Sequence, residues 1–152
     1  MTTLPMTCPS SDEKVKLFAL LIETNARLSR SLGTQLEESC DLPLAWFEVL
    51  LQLRQSSDGR LKMNQIADGI VHSTGGTTRL IDRLEEAGLV ERQLCPSDRR
   101  AIHVAITKQG NAKLDSAFEV HLEYLEENLT SRLNNSERAT LTKLLTKLNG
   151  VR

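Results

Sequence analysis

The chain is poor in aromatic side chains, with one Trp, one Tyr and three Phe among 152 residues. That argues against an aromatic-rich β-sandwich. Its three cysteines, Cys8, Cys40 and Cys95, are an odd number without a CxxC pair, which fits neither a disulfide framework nor a zinc ribbon. No sign of charge dominates: 19 Lys and Arg stand against 20 Asp and Glu, for a net charge of −1. No global field therefore advertises a polyanionic partner, and any nucleic-acid surface must be local. The longest apolar run, from Leu17 to Ile22, spans six residues, far short of the ~20 needed to cross a bilayer. A basic start followed by a longer apolar stretch and a small-residue cleavage site is also missing, so no secretory signal is read and a cytoplasmic location, without a membrane partner, is expected. Nucleophile elbow, P-loop, dinucleotide fingerprint and HExxH are all absent, and His72, His103 and His121 are scattered over three elements. Neither an enzyme, nor a metal centre, nor a cofactor is therefore expected.

What remains is a helix-rich chain long enough for one domain with its own core, residues 1 to 152. Residues 1 to 11, which include Pro5 and Pro9, read as a loose arm. From Asp12 to about Glu38 the pattern is helical, with Leu17, Leu21, Leu28, Leu32 and Leu36 on one stripe and Val15, Phe18 and Ile22 on another. One core covers one stripe, so the first half of this helix is expected to meet a partner subunit as well. Asp41 and Pro43 start a second helix reaching about Gln55, with proline as its first helical residue. Ser56 to Gly59 end it. A short helix is expected over 62 to 71.

Ser73 is a good N-cap for a longer helix that follows a tight corner, and two helices so joined make a helix-turn-helix. In this second helix Thr77, Leu80, Ile81, Leu84 and Ala87 fall on one face. Gly75, Thr78, Arg79 and Asp82 point the opposite way, with Arg83 flanking them. Gly88 stops the helix. The period then changes: Ile102, Val104 and Ile106 alternate with Ala101, His103 and Ala105, which marks a strand with one buried face, and Leu89 to Gln93 is its hairpin partner. The turn between them, Cys95 to Arg100, carries Arg99 and Arg100. Thr107 caps a further helix with Leu114, Phe118, Leu122, Leu125 and Leu129 on its apolar stripe. Asn134 and Glu137 form a capping box ahead of a last helix bearing Leu141, Leu144, Leu145 and Leu148. Charge is polarised along this order, with seven basic against six acidic residues over 60 to 100 and two against six over 111 to 137. The positive end coincides with the helix-turn-helix and the ribbon, the layout of a winged helix.

RLIDRLEEAGLVER followed by SDRRAIHVAIT resembles the recognition helix and wing of the MarR family of bacterial winged-helix regulators, and the element order agrees over residues 12 to 150. The resemblance implies a mainly α fold with a small β-wing: a winged helix-turn-helix lobe at 42 to 106 and a dimerisation lobe built from 12 to 40 and 107 to 150. It implies a homodimer on double-stranded DNA, a repressor responsive to a ligand and bound to a pseudo-palindromic operator. Ser73, Thr74, Gly75, Thr78 and Arg79 match the DNA-facing start of the recognition helix, with Arg83 on the same flank as Arg79 and able to reach a guanine edge or a phosphate. Asp98 and Arg100 match the wing-tip pair in which the acid orients the arginine into the minor groove, leaving Arg99 for a phosphate. Trp46 falls in the region where such proteins hold small aromatic or lipophilic effectors. The chain departs from the family at Lys62, where Thr or Ser usually caps the first helix of the motif, and at Val71 and His72, where a Gly and an apolar residue make the corner. Peroxide-sensing members carry a cysteine where this chain has Leu17.

Two other readings stay open on sequence alone. A winged helix also serves as a protein-interaction module. Cys95, near Arg92 and Arg99, is the candidate trigger of a redox-responsive regulator if those cations lower its thiol pKa.

Overall fold

A computed structural model describes residues 12–70 and 76–150, with the arm expected over 1 to 11 outside them. Helix α1 (Glu13–Cys40) opens on Asp12, whose carboxylate accepts from the Lys14 amide at 2.8 Å. It runs two residues beyond the expected end and closes on Asp41 in the left-handed region, φ 49°, a conformation that Asp tolerates better than most residues. Pro43 is the cap of α2 (Leu44–Gln55) rather than its first helical residue, its carbonyl accepting from Trp46 and Phe47. A three-residue strand, β1 (Arg60–Lys62), leads into α3 (Met63–Gly69), and α4 (Thr77–Glu86) follows. Strands β2 (Val90–Cys95) and β3 (Asp98–Ile106) then form a hairpin, with α5 (Lys108–Asn128) and α6 (Asn135–Asn149) completing the chain.

The sheet is antiparallel in the order β1-β3-β2, with Lys62 opposite His103 and Arg92 opposite Val104. The expected two-stranded ribbon is thus three-stranded, because β1 is too short to reveal a period of two. Only the body end of β3 has the buried face read from its alternation: Val104 is fully buried and Ile106 half-buried, whereas Ile102 is exposed where the hairpin leaves the body.

One core joins the elements: Leu32 and Leu36 from α1, Phe47, Leu50 and Leu53 from α2, Ile66 from α3, Leu80, Ile81 and Leu84 from α4, and Leu114 and Tyr124 from α5. Each such side chain adds roughly 1.5–3 kcal/mol over its exposed state. The expected stripe on α5 is only partly right. Leu122 is 62% exposed, while Ala117 and Tyr124, which the pattern passed over, fill the core. Tyr124 Oη also donates to the Leu28 carbonyl at 2.8 Å, tying α5 to α1. Thr107 caps α5 as expected, accepting from the Gly110 amide at 3.0 Å and donating to the Gly88 carbonyl at 2.7 Å. Gly110 lies so close to the chain before β2 that a Cβ there would sit 2.1 Å from the Leu89 carbonyl oxygen.

Two apolar faces find no cover among the described residues. Val15, Leu17, Phe18, Leu21 and Ile22 are all exposed, so both stripes of the first half of α1 are bare, not one as the sequence suggested. It is the second half, through Leu28, Leu32, Leu36 and Cys40, that packs on the core. Helix α6 has its capping box, Asn134 and Glu137 bonding reciprocally, yet it buries no residue and exposes Leu141, Leu144, Leu145 and Leu148.

Candidate nucleic-acid interface

Helix α3 begins without a side-chain cap at Lys62, as that residue type requires, but Gln65 Oε1 accepts from the Lys62 amide at 2.8 Å and restores half of a capping box. Ser73, Thr74 and Gly75, read as DNA-facing, lie outside the described residues, as do Val71 and His72. Helix α4 does not run through from Ser73. Gly76 precedes it with φ 80° and ψ 146°, and Thr77 is its first residue. At that φ a side chain is strained, which is why glycine stands here. Among the described residues no side chain caps α4, so its first-turn amides keep their capacity to donate to an anion, which the helix dipole favours.

Leu80, Ile81 and Leu84 anchor α4 in the core, and the 100° turn per residue then sends Thr78, Arg79, Asp82 and Arg83 outward, where all four are exposed. The two expected core positions at the ends of this face differ, with Thr77 half-buried and Ala87 exposed. The acids of α4 are not idle. Arg92 on β2 donates from Nη2 to Asp82 Oδ1 and from Nη1 to Glu85 Oε2, both at 2.5 Å, and its amide donates to Glu85 Oε1 at 2.9 Å. The Arg92 amide first, and then its guanidinium, hold the Glu85 carboxyl below the usual carboxylate range. By contrast, among the described residues no carboxylate lies within ion-pair distance of Arg79, Arg83 or Arg100.

The hairpin turns at Pro96 and Ser97, with a register shift at Leu94 and Cys95. Asp98 does not hold the Arg100 guanidinium, as the resemblance implied. Its Oδ1 accepts from the Arg100 backbone amide at 3.0 Å, shaping the strand and leaving the Arg100 side chain exposed. The side chain of Arg99 is outside the described set. Arg100 lines a hollow with Lys62, Met63 and Asn64 at the start of α3, so the wing base adjoins the helix-turn-helix. Cys95 differs from its expected environment: the thiol is lowered by the Ser97 hydroxyl 3.2 Å away and by the Ser97 amide, with desolvation opposing. Arg92, engaged with α4, contributes nothing there.

Trp46 is half-buried against the core and lines an open groove of about 550 Å³ with Asp41, Leu89, Gln109, Lys113 and Ser116, between α2, the start of α5 and the end of α4. An apolar ring beside one ammonium, one carboxylate and two polar tips is chemistry suited to a small amphipathic molecule. Sequence reasoning missed this lining apart from Trp46. It also missed the fork of Arg54 on α2 to Asp115 at 2.5 Å and Asn111 at 3.1 Å on α5, because neither contact is local in sequence. Among the described residues no helix is long and apolar enough to cross a membrane.

Comparison with known proteins agrees with this layout. The sequence profile of the MarR family matches residues 41–101. An HTH-type transcriptional regulator of Bacillus cereus is 30% identical over 120 residues, covering 79% of this chain and 78% of the relative. Among solved structures, a cysteine-to-serine variant of MarR from E. coli in complex with operator DNA superposes with a TM-score of 0.77 at 30% identity, covering 90% of this chain and 95% of the other. A MarR family transcriptional regulator from Streptomyces coelicolor in complex with DNA superposes with a TM-score of 0.72 at 26% identity, covering 85% and 81%.

Proposed function

Since the chain belongs to the MarR family of transcriptional regulators, we propose that it binds a pseudo-palindromic duplex as a homodimer, with α4 in the major groove and the β2–β3 wing reaching an adjacent minor groove. The observation that carries this reading is the division of charge. On α4, Asp82 and Glu85 are paired from behind with Arg92, while Arg79, Arg83 and Arg100 are exposed without a carboxylate partner among the described residues. Arg79 and Arg83, four apart, reach base edges or phosphates, and Arg100 extends from the wing. Ser73, Thr74, Gly75 and Arg99 belong to the same surface on this proposal.

The bare apolar faces of α1 and α6 supply the dimer contact, consistent with the rule that contiguous exposed apolar patches mark association sites. The Trp46 groove is the place for a small aromatic or lipophilic effector. It touches both α5, which leads into the proposed dimer base, and Ala87 at the end of the reading helix. An occupant there alters the spacing of the two reading helices and so lowers affinity, which makes the protein a ligand-responsive repressor rather than an enzyme.

Bandshift titration tests the DNA reading. Arg79→Ala and Arg100→Ala are each expected to weaken binding by about 1–3 kcal/mol, and wild-type affinity to fall steeply with salt. Unchanged affinity in both variants, or salt-independent binding, would instead favour a protein-interaction module.

A further inference from the structure

Arg92 looks, by charge and by its place on the wing, like one more cation for the phosphates. Its geometry assigns it elsewhere. It lies on the same face of β2 as the buried Val90, turned toward the body, and its guanidinium is spread between two carboxylates three residues apart on α4. With its amide also on Glu85, a single residue makes three bonds to the reading helix. We infer that Arg92 is a positioning residue for duplex recognition: it clamps the wing to α4 and holds the Asp82 and Glu85 carboxylates away from the DNA, without itself touching a phosphate. The inference rests on the DNA-binding reading above.

Three considerations support it. All three side chains are partly exposed, at 25%, 49% and 40% for Arg92, Asp82 and Glu85, and exposed ion pairs add little to stability. A planar guanidinium gives each carboxylate its own nitrogen in a fixed fork, whereas the three donors of an ammonium radiate from one nitrogen and fix the two carboxylates less firmly. Asp82 shares the outward face of Thr78 and Arg79, so fixing it sets the rotation of α4 and hence where those side chains project. Left free, Asp82 would present its negative charge to the duplex.

The test uses the full-length protein and two probes: a duplex of about 30 base pairs that the wild type selects from a random-sequence pool, and a scrambled duplex of the same composition. Asp82→Asn combined with Glu85→Gln removes two negative charges, so simple electrostatics makes binding to any duplex tighter. The clamp predicts otherwise. Binding to the scrambled duplex holds or rises, binding to the selected one falls, and the ratio between them drops about five- to tenfold, the size of one mispaired base contact. Arg92→Lys is expected to lie between this pair and the wild type. Arg92→Ala should keep the wild-type slope of log affinity against log salt, whereas Arg79→Ala or Arg100→Ala lowers it by about one. An unchanged ratio in the double variant and in Arg92→Lys overturns the inference, as does a salt slope lowered by about one in Arg92→Ala. Should Arg92→Ala fail to fold, the isosteric double variant decides. A wild type that selects no duplex overturns the DNA-binding reading and the inference with it. A wild type that selects one while the ratio stays fixed overturns the inference alone.

Discussion

Replacing Phe18 by Asp probes the pairing of two copies without touching either the core or the DNA surface. Phe18 is 63% exposed on the bare half of α1, and no core residue packs on it, so the variant keeps its helices. Full burial of such a side chain stabilises by about 1.5–3 kcal/mol. With the ring already about one-third covered, the remaining gain in a dimer is roughly 1–2 kcal/mol per copy. A two-fold interface counts every residue twice, which makes about 2–4 kcal/mol per dimer, and a buried carboxylate adds to the loss. Each 1.4 kcal/mol is about a factor of ten, so the dimer Kd is expected to rise at least 30- to 1,000-fold. Sedimentation velocity from about 0.1 to 10 µM should show a wild-type dimer and a Phe18→Asp monomer with unchanged circular dichroism. A variant that sediments with the mass of the wild-type dimer would refute the assignment of this face. A monomeric wild type would refute the dimer altogether.

Three further predictions concern single contacts. Gly110→Ala places a Cβ 2.1 Å from the Leu89 carbonyl oxygen, and since both partners are backbone the strain should cost about 1–3 kcal/mol, read as a lower denaturant midpoint; an unchanged midpoint contradicts the packing of α5 on the chain before β2. Burial beside Phe47 and Phe118 holds the His121 imidazole below its ordinary 6.5, so the unfolded chain takes up the proton first and the stability contributed by the neutral ring is lost as pH falls below that value. His121→Gln should therefore melt with a shallower dependence between pH 7 and 5.5, and an identical dependence would show that another group titrates. Ser97 is the main cause of the lowered Cys95 thiol, so Ser97→Ala should slow alkylation of the Cys95 peptide at pH 8; an unaltered rate returns the cause to the arginines.

Local rules located most of what positions the site. The Thr107 cap, the Asn134–Glu137 box, Gly88 and the Leu80, Ile81 and Leu84 part of the α4 stripe all follow from bonding or spacing within four residues, and the structure places them as read. The unread features are those fixed by partners distant in the chain. β1 exists because its three residues pair with the end of β3. Tyr124 is a core residue because the Leu28 carbonyl receives its hydroxyl. Arg92 is a clamp because it meets acids 7 and 10 residues earlier. At the reading helix the sequence misled for a local reason: Ser73 is a good cap by type, but Gly76 adopts a backbone that no helix contains. At the wing the Asp98 carboxylate proved to serve the nearer donor, a backbone amide two residues on, rather than a guanidinium.

Hydroxyl-radical footprinting of the wild type on its selected duplex reads the paired placement of two reading helices. Two symmetric sets of protections are expected on one face of the duplex, centred about one helical turn, ~34 Å, apart. A single uninterrupted patch, or equal protection along the scrambled duplex, would contradict it.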